Sequence, residues 1–265
     1  MWWFIVAALA CVVAGFGLYQ LSRLRGKLIA MIGAEELSIP ELEQFRQVSD
    51  ELGARGGFRK TSEVSGAAHP HPDGPLVAEL SQTECVWYRY RVDRHYEDIE
   101  HRNGRRTSRR RSEKVAEQNS WQGFALIDGQ GRTLGVDPNG TAPDGAVQTV
   151  NRFEPHRGED SGNQLLGMLS QVLTGGGDTT IGYEYKEWII PLGHRLYILG
   201  EVHDRIGPLV IGKPERGGHF IISTRTEGEL REEATKHHKL WVAGVIAAAV
   251  LAAATLIGGI VTAVA

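Results

Sequence analysis

The sequence predicts an α+β fold that is mostly β, with a single β-rich domain lying between two transmembrane helices. Three features predict it. The chain opens and closes on uncharged apolar runs, the charge is concentrated between them, and that middle part alternates apolar and polar residues at strand period more often than at helix period.

Residues 1–22 carry no charged side chain, and residues 240–262 form a second uncharged run. Each is long enough to cross about 30 Å of hydrocarbon as a helix. Trp2, Trp3 and Tyr19 bracket the first run and Trp241 opens the second, as suits aromatic rings at headgroup depth. A cleaved leader is the competing reading, because Ala8-Leu9-Ala10-Cys11 faintly resembles a lipoprotein cleavage site. Against it, no basic residue precedes the apolar run, whereas Arg23, Arg25 and Lys27 follow it. Lys236 and Lys239 flank the second run on the same side. The positive-inside rule therefore expects both ends away from the cytoplasm and the intervening domain on the cytoplasmic side, at the plasma membrane if the chain is bacterial. Small residues four apart, Ala7, Cys11 and Gly15 on the first helix and Gly244, Ala248 and Ala252 on the second, predict that the two helices pack on each other. Homo-oligomerisation through the same faces is the alternative.

Residues 23–60 read as a juxtamembrane helical segment. The first helix continues to about residue 32, and Ser38-Ile39-Pro40-Glu41 fits a capping box with proline in the first turn. Leu42, Phe45, Val48 and Leu52 then recur on one face until Gly53, which suits packing on the domain or on lipid. The β-rich domain occupies residues 61–239. Residues 53–75 read as loop with a short strand at 62–67. In residues 84–96, Val86, Tyr88, Tyr90 and Val92 form one buried face of a strand. Further strands are expected at 120–127, 132–136 and 147–153, with Asp128-Gly129 and Gly131 turning the first of these into the second. Residues 163–173 have helical spacing and end at the glycine run 175–177, a helix stop more than a phosphate loop since no lysine follows. Two strands flank the Pro191-Leu192-Gly193-His194 turn, a closing strand covers 219–224, and a capped polar helix runs from Glu229 into the second span.

Taken together, CVWYR at 85–89, FALIDGQGRTLGVDPNG at 124–140, YKEWIIPLGHRLYILGEV at 185–202 and HFIIS at 219–223 resemble the GIDE-domain membrane proteins, the MULAN/MAPL-like E3 ubiquitin ligase family. The resemblance spans roughly residues 63–261. It implies a beside-a-membrane domain between two helices, a role in organelle or membrane organisation, and ubiquitin-protein transferase activity carried by a zinc-binding RING finger after the second helix. The positions that carry it are Cys85, Tyr88, Asp128, Gly129, Gly131, Glu187, Gly193, Leu199, Gly200 and Glu201, expected in structural roles. A RING needs eight ligands, mostly cysteine thiolates, and two cysteines cannot supply them. Transferase activity from these residues alone is therefore not expected, and no catalytic residue can be carried over.

Other chemistry finds little support. Two cysteines, one of them in an apolar run, suit a reducing compartment. Glu184, Glu187, Glu201, His194 and His203 are near in sequence, but no nucleophile or metal-water signature accompanies them. His69-Pro70-His71-Pro72 lacks a third ligand, and Lys236-His237-His238-Lys239 reads as side chains reaching headgroups. No cofactor or metal is expected. Cys85 reads as a small buried hydrophobe.

One stretch stands out, HRNGRRTSRRRSEKV at 101–115, with seven arginines and lysines against Glu113. Its flanks are strand-like, so it reads as a hairpin tip with Asn103-Gly104 as the turn. It contains no Phe, Tyr or Trp for base stacking, and the net charge of −3 argues against a polyanion binder, so nucleic acid is disfavoured. Arg102, Arg105, Arg106, Arg109, Arg110 and Arg111 are the candidate contacts to membrane lipids or to an acidic protein partner not identified by the sequence.

Overall fold

The computed structural model describes residues 2–102, 105–156 and 179–264. The expected helix at 163–173, its glycine stop and the Asn103-Gly104 turn lie outside the described residues. In chain order the elements are α1 (Trp2–Gly33), β1 (Glu35–Glu36), α2 (Ile39–Glu51), β2 (Arg59–His69), β3 (Leu76–Val77), β4 (Glu84–Arg102), β5 (Arg105–Asn119), β6 (Phe124–Ile127), β7 (Thr133–Val136), β8 (Val147–Pro155), β9 (Thr179–Pro191), β10 (Arg195–His203), β11 (Val210–Gly212), β12 (Ile221–Ser223) and α3 (Glu227–Val264). The fold is mostly β, as expected.

The strands divide into two sheets. In the first, β2 pairs with β6, β6 with β7, β7 with β11, β11 with β10, and β10 returns to β2. These five strands close a barrel, and β7 with β11 is its one parallel contact, the Greek-key connectivity of OB-type barrels. Strands β1 and β12 extend the wall beside β2 and β10. The second sheet has the order β3-β4-β9-β8, with β5 paired to β4.

Alternation along each strand builds the core. Val64 of β2, Leu126 of β6, Leu134 and Val136 of β7, Leu196, Ile198 and Val202 of β10, and Ile211 of β11 are buried together. Trp87 and Ile190 of the second sheet join them. Each such side chain taken from water contributes about 1.5–3 kcal/mol, so the two sheets share one core. The turn at residues 191–194 passes the chain from β9 in one sheet to β10 in the other. Gly193 makes that transfer at φ +72 and donates its N–H to Ala68 O at 2.8 Å.

Three expectations change. The short strand placed at 62–67 is an eleven-residue wall of the barrel, because β10, β6 and β1 all pair with it. The strand expected at 120–127 begins only at Phe124. Helix α2 starts as expected, with Glu41 accepting from the Ser38 N–H at 2.8 Å and hydroxyl at 2.6 Å. Of its apolar stripe, however, only Leu42 is buried, together with Ile39, while Phe45, Val48 and Leu52 stay exposed.

Helices α1 and α3 run antiparallel. Phe16 packs edge-on against Trp241 at 6.1 Å, a Cβ on Gly17 would lie 2.5 Å from Val245, and Arg25 Nε donates to His238 Nε2 at 3.3 Å. The small residues in contact are only partly the expected ones. Ala10 and Ala252 are buried, but Gly15 and Gly244 meet nothing within 4 Å and Cys11 is exposed. Gly17, two residues and so about half a helical turn from Gly15 of the predicted stripe, makes the close approach. One helix, Glu227–Thr255, is long and apolar enough to cross a membrane by length and composition; Ala8–Ser22 is a shorter apolar helix.

Close approach also governs Gly200. A Cβ there would lie 2.7 Å from Gly212 O and 2.9 Å from Phe220, so β10 can lie against β11 only with glycine at this position. Gly200→Ala is expected to lower stability by about 1–3 kcal/mol through overpacking, read as a lower denaturation midpoint at unchanged m-value.

Candidate interaction surface

Strand β4 is paired with β9 on one side and with β5 along the other. Among the described residues, pairing with β9 runs to Glu97, opposite Thr179, and pairing with β5 continues to Arg102. The β4–β5 pair forms a two-stranded ribbon that carries the basic run. Among the described residues no strand pairs with the far side of β5, so its outer backbone groups form a free edge.

The arginine stretch is thus chiefly a strand, not a tip. Its register sets the basic arm against an acidic one: Arg110 faces Glu97, Arg109 faces Asp98, and Thr107 faces Glu100. Arg111 reaches Asp98 at 3.0 Å and Arg110 reaches Glu97 at 3.8 Å. Nearer the sheet, the largely buried Arg94 joins Glu113 at 2.9 Å and Thr180 at 2.9 Å, and Arg89 and Lys114 both bind Glu117. These contacts hold the Glu117 carboxyl below the usual range, with the Lys114 hydrogen bond as the largest cause. Arg109 is exposed and has no ion-pair partner among the described residues. Arg102 and Arg105 face each other in the register, and Arg106 faces His101. The acidic arm was readable in the sequence, since EDIE at 97–100 mirrors the basic run about Asn103-Gly104.

The other singled-out positions hold the scaffold. Glu187 is fully buried and accepts from the Leu80 N–H at 2.6 Å, the Ser81 N–H at 3.0 Å and the Thr149 hydroxyl at 3.0 Å. Asp128 accepts from the Gln130 and Arg132 N–H groups, tying a turn in which Gly129 follows and Gly131 sits at φ +79. Tyr88 donates to Glu79 at 3.4 Å. Leu199 is buried on the outer face of the barrel with Tyr197, Leu230 of α3 and Ile221. Glu201 Oε1 meets no donor among the described residues, whereas Glu187 is the carboxylate that holds amides.

Among the described residues, Glu184, Glu187, Glu201 and His203 divide between the two sheets. Glu184 is bound to Lys186 at 3.0 Å and to His95 at 3.2 Å, and these contacts, Lys186 foremost, hold it below the carboxylate range. His203 lies in the barrel, where burial and the charges of Arg205 and Arg59 push its pKa down. Strands β9 and β10 belong to different sheets, which separates Glu184 and Glu187 from Glu201 and His203. Cys85 is buried, and burial followed by the Glu187 charge pushes its thiol up to about 11. Among the described residues no group of three or more His, Cys, Asp or Glu is placed to hold a metal ion.

A pair that sequence reading missed lies under α3. Glu63 is 1 % exposed, and burial raises its pKa against the partial relief of the Tyr197 hydroxyl. Burial and the Glu63 charge in turn push the Tyr197 phenol far up.

The family model for GIDE, described as E3 ubiquitin ligase, matches residues 96–258, more than half of the chain. The chain belongs to the GIDE family. No curated protein and no solved structure matches it. The GIDE match begins at Tyr96 in the ribbon and ends within α3, so the free arm of the hairpin, most of the barrel and the closing helix fall within the family's pattern.

Two measurements probe these placements. Cys85 should react with iodoacetamide at pH 8 at least about 100-fold more slowly than an unperturbed thiol, read by mass spectrometry in a Cys11→Ser background. Glu63, whose folded pKa exceeds its unfolded value, contributes stability that is full below the unfolded pKa near 4.5 and is lost as pH rises through the folded pKa. Glu63→Gln is therefore expected to melt above the natural chain at neutral pH, with the gap closing on acidification through that range.

Proposed function

We propose that this GIDE-family chain is a membrane-tethered binding or scaffolding module, anchored at both ends by α1 and α3, that engages an acidic protein partner through the β4–β5 ribbon. The observation that carries the reading is the free edge of β5 with exposed Arg109 and the largely exposed Arg110 upon it. An edge strand offers unpaired backbone groups to an added strand, and its arginines choose an acidic one while discouraging a second copy of themselves. The exposed apolar side chains along both terminal helices, among them Leu9, Val12, Phe16, Val250 and Leu251, support anchoring because water would leave them unsatisfied.

A photo-crosslinker placed at position 109 of the full chain in intact membranes tests the reading. It is expected to capture a protein, with the yield falling when Arg109, Arg110 and Arg111 are all changed to Gln. Capture of lipid alone would instead favour anionic-lipid recognition by the ribbon, and capture of nucleic acid would overturn both.

The family's description supports a second reading, ubiquitin transfer by the chain itself. Transfer needs either a reactive thiolate or a zinc-built platform for the charged conjugating enzyme. Cys85 is buried with a raised pKa, and Cys11 lies in the apolar part of α1. The purified chain is therefore expected not to accelerate ubiquitin discharge, and its role in a ligase system would be partner or substrate engagement. Robust zinc-dependent discharge would reverse that assignment.

A further inference from the structure

The loop joining β11 to β12, residues 213–220, touches the helix pair at one defined height. A Cβ on Gly26 of α1 would lie 3.1 Å from His219 Nε2, so this loop rests directly against α1. The apolar helix Ala8–Ser22 ends four residues before Gly26, and the apolar run that opens at Leu240 begins two residues after His238. At 1.5 Å per residue, Gly26 and the Arg25–His238 pair stand within about 6 Å of the apolar boundary on both helices.

The charge there is one-sided. The loop carries Lys213 and Arg216, both exposed, and Lys239 stands exposed at the start of the apolar run of α3. The nearby carboxylates are engaged elsewhere: Glu215 holds Arg59 and Arg205, Glu232 holds Lys236, and Glu233 holds Arg225 and faces His237. Arg25 has a histidine, not an acid, as its partner, and Lys213, Arg216 and Lys239 have no ion-pair partner among the described residues. In the ribbon, by contrast, Arg110 and Arg111 already face Glu97 and Asp98.

We infer that Arg25, Lys213, Arg216, His219 and Lys239 form a collar that binds the phosphate headgroup of an anionic phospholipid, so that lipid recognition lies at the helix exit and not in the arginine ribbon. The inference rests on the anchored reading above. Three chain segments are needed to build it, which explains why no single basic run in the sequence marks it. Arginine forks and lysine points suit a phosphate at the surface, where each cation contributes about fivefold to partitioning.

The test uses the full chain reconstituted in phosphatidylcholine vesicles containing a minor share of spin-labelled phosphatidylglycerol. The natural chain is expected to retain the anionic lipid over spin-labelled phosphatidylcholine. The exposed-loop variant Lys213→Gln/Arg216→Gln should lose about fivefold of that preference per cation, as should Arg25→Gln, while Arg109→Gln/Arg110→Gln leaves it unchanged. Unchanged preference in the collar variants, or loss only in the ribbon variant, would overturn the inference. So would displacement of the lipid by millimolar-range inorganic phosphate, which would mark a site for soluble phosphate. Extraction of the natural chain from the vesicles by alkaline carbonate would overturn the anchoring itself, an outcome distinguishable because it precedes any lipid measurement.

Discussion

The antiparallel pairing of β2 with β10 runs without a break from Arg59 opposite His203 to Ala67 opposite Arg195, and the remaining architecture is attached to it. It closes the barrel, because β2 carries β6 on its other side and β10 carries β11. It also decides where the terminal helices emerge. β1, which continues directly from α1, lies beside β2, and β12, which leads into α3, lies beside β10. Segments at the two ends of the chain are thereby placed in one four-strand wall, β1-β2-β10-β12. The antiparallel contact of α1 with α3 follows from that wall as much as from the small residues between the helices.

The outer face of this wall is where polar chemistry is least comfortable. Directly opposed residues of antiparallel strands share a face, so Glu63 lies beside Leu199, while Tyr197, Ile221 and Leu230 cover the same surface. A carboxylate buried here works against stability at neutral pH, and its retention under the first turns of α3 couples the seat of that helix to protonation. Glu227 of α3 adds an opposing charge and Arg231 a compensating one, while burial remains the largest cause of the raised Glu63 pKa.

Much of this was legible in the sequence, for physical reasons that differ by element. The capping box at Ser38 is a local signal that the structure repeats, whereas the strand read at β4 is present without its alternation: Cys85 to Tyr88 are all buried, Val86 and Trp87 share the barrel core, and the register shifts between Cys85 and Trp87. The 191–194 turn was recognised from Pro191 and Gly193, but a turn between two strands does not say that they join different sheets. That assignment depends on Trp87 and Ile190 finding the barrel core, a long-range contact. Strand β2 was underestimated because its sequence, RKTSEVSGAAH, has few large apolar residues; three neighbouring strands stabilise it instead. Among candidate contact residues, the basic arm was legible as composition and an acidic segment before it could be read too, whereas which cation meets which carboxylate became visible only through the cross-strand register.

That register changes what a basic run means. Seven cations in fifteen residues suggest a strong positive field when the segment is taken alone. Folded onto β4, Arg110, Arg111 and Lys114 of the run close on Glu97, Asp98 and Glu117, in pairs of a kind worth only about 0–1 kcal/mol each near the surface. Such weak pairs order the ribbon little, yet they cancel charge at the range of a Debye length, about 8–10 Å, where attraction to a membrane surface would have to act. A strand added at the edge of β5 acts at hydrogen-bond range and is not weakened by that cancellation. On the function proposed and the lipid collar inferred above, recognition of an extended acidic segment at the β5 edge and attraction to lipid at the helix exit would act at separate places, the second where Arg25, Lys213, Arg216 and Lys239 have no ion-pair partner among the described residues.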